Sequence, residues 1–264
     1  MIIELKQLTK KFKEFTAVDS LTLTIEKGEA FALLGPNGAG KTTVVKMLTT
    51  LLPPTSGDAS IGGFSIITDA NEVRGTVGYV PQMLSVDGAL TGYENLMLFA
   101  KLYDIPSKER KQRVHDTLEF MGLTEASVKA VKTYSGGMIR RLEIAQSIVH
   151  RPQVLFLDEP TTGLDPIARK VVWEHLAELK KQYDTTILLT THMMEEADNL
   201  CSRVAFMSRG KLVAMGAPEF LKNSLHKENA SLEDAFIHYT SETLESSDNF
   251  RSISRDRKTE QRVG

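Results

Sequence analysis

The residues of this chain best suited to chemistry form a glycine-rich loop that ends in a lysine and a threonine. Residues 35–42 read Gly-Pro-Asn-Gly-Ala-Gly-Lys-Thr and match the phosphate-binding pattern G-x-x-x-x-G-K-[ST]. The glycines let backbone N–H groups wrap around phosphates, and the following helix adds partial positive charge. We expect Lys41 at the β and γ phosphates and the Thr42 hydroxyl on Mg²⁺. The predicted nucleotide-binding residues here are Gly35, Pro36, Asn37, Gly38, Ala39, Gly40, Lys41, Thr42 and Thr43.

Two carboxylates end an apolar run further along the chain. Residues 154–157 are followed directly by Asp158 and Glu159. We expect Asp158 to hold Mg²⁺, directly or through water, and Glu159 to polarise an attacking water. His192 follows another apolar run, residues 187–191, and would lie at the edge of the sheet where such folds bind ligands. It is therefore a candidate to contact the γ-phosphate or the water.

A second glycine turn, Ser135-Gly136-Gly137, opens a predicted helix shortly before the two carboxylates. A helix N-terminus of this kind is a further phosphate-binding surface. Because the same molecule's nucleotide is already held by residues 35–42, the second surface predicts a dimer in which nucleotide joins the two halves.

Two further residues are ambiguous when taken alone. Gln82 ends the run 77–81, where its amide could contact Mg²⁺ or the water, although Pro-Gln at a strand end is also ordinary turn chemistry. Phe12, which precedes Val18, could stack on adenine, although packing in the core is the better interpretation of a lone phenylalanine.

Short apolar runs that alternate with helical patterns indicate an α/β fold. The continuous runs are typical of strands covered on both faces, which predicts a mostly parallel sheet. Between about residues 83 and 151 the pattern becomes helical and predicts an inserted helical part. A short helix is predicted after Ser231, and residues 241–264 are expected to form a disordered tail. The strand runs are residues 29–34, 77–80, 154–157, 186–190 and 204–207.

Composition limits the classes of function. The 264 residues carry a formal net charge of −2, which gives no support to nucleic-acid binding through overall charge. Cys201 is the single cysteine and cannot form an internal disulfide, which fits a reducing cytosol. No apolar run has the length of a signal peptide core or a membrane span. We therefore expect contact with a membrane only through a partner.

Taken in their order along the chain, the motifs resemble those of the nucleotide-binding subunit of ATP-binding cassette (ABC) transporters. The resemblance covers about residues 2–240. Residues 35–42 resemble Walker A, residues 134–138 the signature, and residues 154–158 Walker B, followed by Glu159 as the catalytic glutamate. The remaining matches are Phe12, with Val18 nearby, for adenine stacking, Gln82 for the Q-loop, Asp165 in residues 163–166 for the D-loop, and His192 for the switch histidine.

Two departures from the family pattern are visible. Tyr134 and Met138 replace the usual leucine and glutamine at the ends of the signature, and Phe12 replaces the commoner tyrosine. The signature text and the Arg140-Arg141-Leu142-Glu143 that follows resemble the branch related to daunorubicin-resistance exporters. The late segment at residues 231–236 resembles the same branch.

The resemblance implies a P-loop NTPase fold with an N-terminal antiparallel β part and an inserted helical subdomain, all within residues 1–240. It implies ATP and Mg²⁺ as cofactors, with Thr42, Gln82 and Asp158 as metal ligands. It also implies ATP-dependent pairing with a second copy or a paralogous ATPase subunit. It implies separate ABC-2-type membrane subunits, which would place the chain on the inner face of the cell membrane and use its ATP hydrolysis to power export. Direct binding to nucleic acid is not expected.

Three rival interpretations remain. A non-transport ABC ATPase acting on nucleic acid or ribosomes would typically carry two cassettes or a long coiled-coil insertion. A P-loop kinase or another metabolic NTPase would need neither the signature nor the switch histidine. A binding module that no longer hydrolyses ATP is disfavoured because Glu159 and His192 are both present.

Overall fold

The computed structural model describes residues 1–83 and 85–241. Of the predicted disordered tail, residues 241–264, residue 241 is described and is helical, and the others lie outside the described residues. The strands are β1 (Ile3–Phe12), β2 (Phe15–Ile25), β3 (Ala30–Leu34), β4 (Ser56–Ile61), β5 (Phe64–Ser65), β6 (Val77–Val80), β7 (Val154–Asp158), β8 (Thr186–Thr191), β9 (Arg203–Ser208) and β10 (Lys211–Gly216). The helices are α1 (Lys41–Leu48), α2 (Ala70–Thr76), α3 (Gly92–Leu102), α4 (Ser107–Phe120), α5 (Gly136–Ile148), α6 (Pro166–Tyr183), α7 (Met194–Leu200), α8 (Pro218–Asn223) and α9 (232–241).

The larger sheet has the strand order β10-β9-β3-β8-β7-β6, and all its pairs except β10 with β9 are parallel. Every residue of β3, β7 and β8 is buried, as expected for strands covered on both faces. The carboxyl ends of these parallel strands meet at one edge of the sheet. The prediction of a mostly parallel α/β sheet is thus confirmed.

The smaller sheet is antiparallel and has the order β2-β1-β4-β5. Leu5, Leu8 and Leu21 on its inner face are buried in a core shared with α1 and with one face of the larger sheet. The N-terminal antiparallel part implied by the resemblance is therefore present.

The predicted helical segment contains α3, α4 and α5. Thr91 caps α3, and its side chain and that of Glu94 exchange hydrogen bonds with each other's backbone N–H. Gly122 follows α4 with a φ of 62°, and the N–H of Leu123 reaches back to the carbonyl of Leu118 at 2.8 Å, a pattern that ends helices. These local signals set the helix ends.

The last described helix, α9, begins after Ser231, whose hydroxyl accepts a hydrogen bond from the backbone N–H of Asp234 at 3.0 Å. Among residues 1–83 and 85–241, no helix combines the length and the apolar character that crossing a membrane requires.

Candidate functional site

The glycine-rich loop turns the chain from β3 into α1 at the carboxyl edge of the larger sheet. Gly40 precedes α1 with a φ of 103°, a conformation that side chains rarely adopt. A Cβ atom at Gly40 would also lie 2.4 Å from the carbonyl oxygen of Ala17. The glycine at this position is therefore required both by the backbone conformation and by the close approach of β2.

Lys41 extends back over the loop, with only 5% of its surface exposed. Its Nζ donates to the carbonyl oxygens of Gly35 at 2.7 Å and Pro36 at 3.2 Å, and it lies 3.7 Å from Oε1 of Glu159. Burial lowers the pKa of Lys41, and the nearby charges of Glu159 and Asp158 oppose this effect. The ammonium group is thus held by the loop that is predicted to cradle phosphates.

Asp158, the last residue of β7, contacts the first turn of α1. Its Oδ1 accepts hydrogen bonds from the hydroxyls of Thr42 at 3.0 Å and Thr190 at 2.5 Å. Burial, together with the negative charge of Asp158, raises the pKa of Tyr79 to about 12. A carboxylate and a hydroxyl side by side are oxygen ligands of the kind that Mg²⁺ prefers, so these residues fit the predicted metal role.

Glu159 has an unusual backbone and a buried carboxylate. Its φ is 50°, and its N–H donates to the carbonyl oxygen of Thr190 at 3.0 Å. Its Oε2 accepts hydrogen bonds from Nε2 of Gln82 and from the hydroxyl of Thr162, each at 3.2 Å. Nδ1 of His192 lies 3.3 Å from Oε1. A non-glycine residue in this conformation is found where the surroundings hold it, often at functional sites.

These contacts bring four predicted catalytic residues, Glu159, His192, Lys41 and Gln82, to one place. A buried carboxylate between a lysine, an amide and an imidazole can orient a water and accept its proton. The ammonium group of Lys41 lies on the side of this carboxylate that faces the glycine-rich loop. The arrangement is suited to the attack of water on a bound phosphate.

A cleft of ≈ 420 Å³ opens over the loop. Phe12 and Phe15, opposite each other at the hairpin between β1 and β2, form one wall and are 45% and 62% exposed. Phe15 was not among the predicted residues, although its place across the hairpin turn from Phe12 was a usable signal. The cleft is lined by Phe12, Phe15, Ala17, Asn37, Gly38, Ala39, Gly40, Lys41, Thr42, Thr43, Gln82 and Glu159.

Several of the predicted nucleotide-binding residues do not line this cleft, among them Val18, Gly35 and Pro36. The Val18 side chain is fully buried and packs beneath the loop, with its Cγ2 3.4 Å from where a Cβ of Gly40 would lie. Gly35 and Pro36 border a neighbouring cavity together with His192. Their backbone carbonyls instead hold Lys41.

The Ser-Gly-Gly turn and Asp165 also lie outside the cleft. The Ser135 hydroxyl accepts a hydrogen bond from the N–H of Met138 at 3.3 Å and caps α5, and both Ser135 and Gly136 are exposed. Asp165 caps α6 by accepting from the N–H of Ala168 at 2.9 Å. A Cβ at Gly137 would lie 2.8 Å from that of Ala168, so the two helix starts are packed together. That they contact a nucleotide held by another copy remains a prediction.

The sequence analysis missed a buried carboxylate behind the site. Oε1 of Glu196 in α7 accepts hydrogen bonds from the hydroxyl of Thr161 at 2.7 Å and from Nε1 of Trp173 at 3.1 Å. Burial raises its pKa, while these hydrogen bonds oppose the rise. Because α7 follows His192 and Thr161 follows Glu159 closely, Glu196 joins the two segments that carry those residues. The sequence signal that could have identified Glu196 is an acidic residue on the apolar face of a short helix.

The sequence is similar to those of known ATP-binding proteins. The protein-family model described as "ABC transporter" matches residues 18–162. The chain is 41% identical over 256 residues to the daunorubicin/doxorubicin resistance ATP-binding protein DrrA of Streptomyces peucetius, an alignment that covers 96% of this chain and 77% of the relative. It is 39% identical over 239 residues to the probable multidrug ABC transporter ATP-binding protein YbhF of Escherichia coli K12. That alignment covers 89% of this chain but only 41% of the relative.

A solved structure is similar over most of the chain. It is a dimeric, post-hydrolysis state of the ATP-binding cassette MJ0796 bound to ADP and phosphate, with a TM-score of 0.73 and 26% sequence identity. The similarity covers 82% of this chain and 98% of that chain.

Proposed function

The chain belongs to the ABC transporter family, and we propose that it is the subunit that binds and hydrolyses ATP to power an exporter. The observation that carries this proposal is the convergence of Lys41, Gln82 and His192 on the carboxylate of Glu159, beside a phosphate-binding loop. A binding module without catalysis would not need this set of groups around one buried carboxylate.

In the proposed reaction, backbone N–H groups of the loop and Lys41 hold the phosphates, and the rings of Phe12 and Phe15 offer an apolar wall to adenine. Glu159 orients the attacking water, and His192 contacts the γ-phosphate or the water from the other side. Little covalent chemistry is needed from the protein, because positioning and charge stabilisation supply most of the acceleration of phosphoryl transfer.

Thr42 and Asp158 are proposed to hold Mg²⁺, with Gln82 as a further ligand. The metal ion, when bound, would supply positive charge that neutralises the charge developing on the phosphate. In the structure Asp158 is held by two hydroxyls, Thr42 and Thr190, so its carboxylate is already oriented towards the first turn of α1.

The working unit is proposed to be a dimer, of two copies or of this chain with a paralogous subunit. The turn Ser135-Gly136-Gly137, in which Ser135 and Gly136 are exposed, opens a helix, and its N–H groups would face the γ-phosphate in the partner's cleft. ATP would then bind the closed dimer more tightly than the separated subunits. Hydrolysis would remove this difference in affinity. The dimeric state of the similar ATP-binding cassette supports this arrangement.

The proposed partners in transport are separate ABC-2-type membrane subunits, which would hold the chain on the inner face of the cell membrane. Residues 1–240 act as one ATP-binding domain, and the helical part at about residues 83–151 passes motion to these subunits. Co-purification with a membrane protein encoded beside this gene, with faster ATP hydrolysis in the complex, tests this step. Stimulation by nucleic acid or ribosomes instead would favour the non-transport alternative.

The hydrolytic proposal is tested by comparing wild type with Glu159→Gln. We expect unchanged ATP binding and a fall in turnover of about 10²-fold or more, the usual contribution of a general base. Glu178→Gln, which removes an exposed carboxylate on α6, is the matched control and should hydrolyse ATP like wild type. Full turnover by Glu159→Gln would refute the assigned role.

A further inference from the structure

Helix α5 carries a buried ion pair that the proposed mechanism does not use. Arg140 and Glu143 are 4% and 2% exposed, and Nη1 of the arginine lies 3.0 Å from Oε2 of the glutamate. Burial raises the pKa of Glu143, whereas the charge of Arg140 and hydrogen bonds from Ser85 oppose the rise. A buried ion pair is often no more stable than a well-packed apolar pair, so fold stability alone does not account for it.

Both members of the pair also reach the segment that carries Gln82. Nη1 of Arg140 donates to the carbonyl oxygen of Pro81 at 2.9 Å. Oε1 of Glu143 accepts hydrogen bonds from the backbone N–H of Ser85 at 2.6 Å and from its hydroxyl at 3.2 Å. The segment is therefore held by α5 on both sides of Gln82.

Gln82 in turn donates to Oε2 of Glu159 at 3.2 Å. Its own side chain is exposed, so the backbone contacts of its neighbours must fix its position. The same helix α5 begins at the turn after Ser135, which is proposed to meet the nucleotide of a second copy. Helix α5 thus connects that turn with the backbone groups on both sides of Gln82.

We propose that Arg140 and Glu143 are positioning residues, which hold the backbone of Pro81 and of Ser85 so that Gln82, between them, reaches Glu159. This inference rests on the proposed function, because it assigns a role in ATP hydrolysis. It implies that a shift of α5 moves Gln82 with it, so that engagement of the Ser135 turn by a second copy affects hydrolysis in the same chain. Small displacements of such a group have large effects on the catalytic rate, since a shift of about 1 Å near reacting groups can slow catalysis about 10²-fold.

The central experiment replaces the pair by apolar side chains, Arg140→Met with Glu143→Leu. This removes both contacts to the segment and leaves no unpaired buried charge. We expect kcat for ATP to fall at least about tenfold while KM and nucleotide binding stay within about threefold. Arg141→Gln is the matched control, because Arg141 donates from the same helix to Met121 and Gly122 and not to the Gln82 segment. It should keep wild-type kcat.

A second comparison separates positioning from general damage to the fold. In a Gln82→Ala background the amide is gone, so the double replacement should lower kcat by less than about twofold further. A purely structural defect would lower kcat equally in both backgrounds. Arg140→Lys keeps a donor towards Pro81 and Glu143. Its kcat should therefore lie between those of wild type and the apolar double variant. If the double variant fails to fold, Arg140→Met with Glu143→Gln leaves no buried charge, removes the contact to Pro81 and should also lower kcat without raising KM.

The outcomes separate this inference from the proposed function. If wild type does not hydrolyse ATP, both are overturned. If wild type is active, Glu159→Gln is inactive and the apolar double variant keeps wild-type kcat, only the positioning role of Arg140 and Glu143 is overturned. An equal loss of kcat with and without Gln82 would also overturn it.

Discussion

His150 makes the stability of this protein sensitive to mild acid. The residue follows α5, and its ring stacks on that of Tyr103 with centroids 3.6 Å apart. Nε2 donates to the carbonyl oxygen of Val77 at 3.1 Å, while the buried Nδ1 has no hydrogen-bond partner among the described residues. Protonation would add a buried N–H at that atom without an acceptor. Burial accordingly lowers the pKa of His150 to about 4, although its bond to Val77 opposes the shift.

The magnitude follows from linkage between proton binding and folding. The pKa is about 4 in the folded chain and near 6.5 when unfolded, so between these values the unfolded state binds more protons. Stability therefore rises with pH across this window and is lost as the pH falls. One pKa unit corresponds to about 1.4 kcal/mol, which gives a loss of about 2 kcal/mol between pH 7 and about pH 5.

The assay is urea unfolding at pH 7 and at about pH 5, with wild type compared against His150→Phe. Phenylalanine keeps a ring against Tyr103 and has no group to protonate, so the pH dependence should shrink by about 2 kcal/mol. His115→Gln changes an exposed histidine on α4 and should keep the wild-type dependence. Equal pH dependence in wild type and His150→Phe would refute the reasoning.

Other substitutions test the site and its support. Gly40→Ala places a Cβ 2.4 Å from the carbonyl oxygen of Ala17. We expect the free energy of unfolding to fall by about 2 kcal/mol and the melting temperature by roughly 4–8 °C. ATP binding should also weaken. Lys41→Ala should weaken ATP binding or block turnover, measured with a fluorescent nucleotide and by phosphate release. Trp173→Phe removes a donor to buried Glu196 and should lower stability by about 1–2 kcal/mol in urea unfolding; no change would contradict that bond.

Much of the fold could be predicted because local rules and tertiary structure agree. The capping residues of α3, α5 and α9 are Thr91, Ser135 and Ser231, each a residue type with a short acceptor side chain that suits a helix start. Every residue of strands β3, β7 and β8 is buried, and a run of apolar residues forms the middle of each, so their sequence signal is strong.

The contacts between segments distant in sequence could not be predicted. Glu159 and Gln82 are brought together by the parallel pairing of β6 with β7, and nothing in either segment alone specifies that their side chains meet. The contact of Arg140 with Pro81 depends in the same way on how α5 packs. Val18 was predicted from its nearness to Phe12, but strand alternation turns its side chain into the core.

The state of association of Glu159→Gln with ATP is the decisive measurement, because the proposed dimer requires nucleotide to be shared between two copies. The variant keeps the cleft, the exposed Ser135 turn and Lys41 but lacks the carboxylate proposed to orient water. Sedimentation velocity with ATP and Mg²⁺ should show a stable dimer, and Ser135→Arg in the same background should restore the monomer. A Glu159→Gln chain that binds ATP and remains monomeric at every concentration would contradict the account.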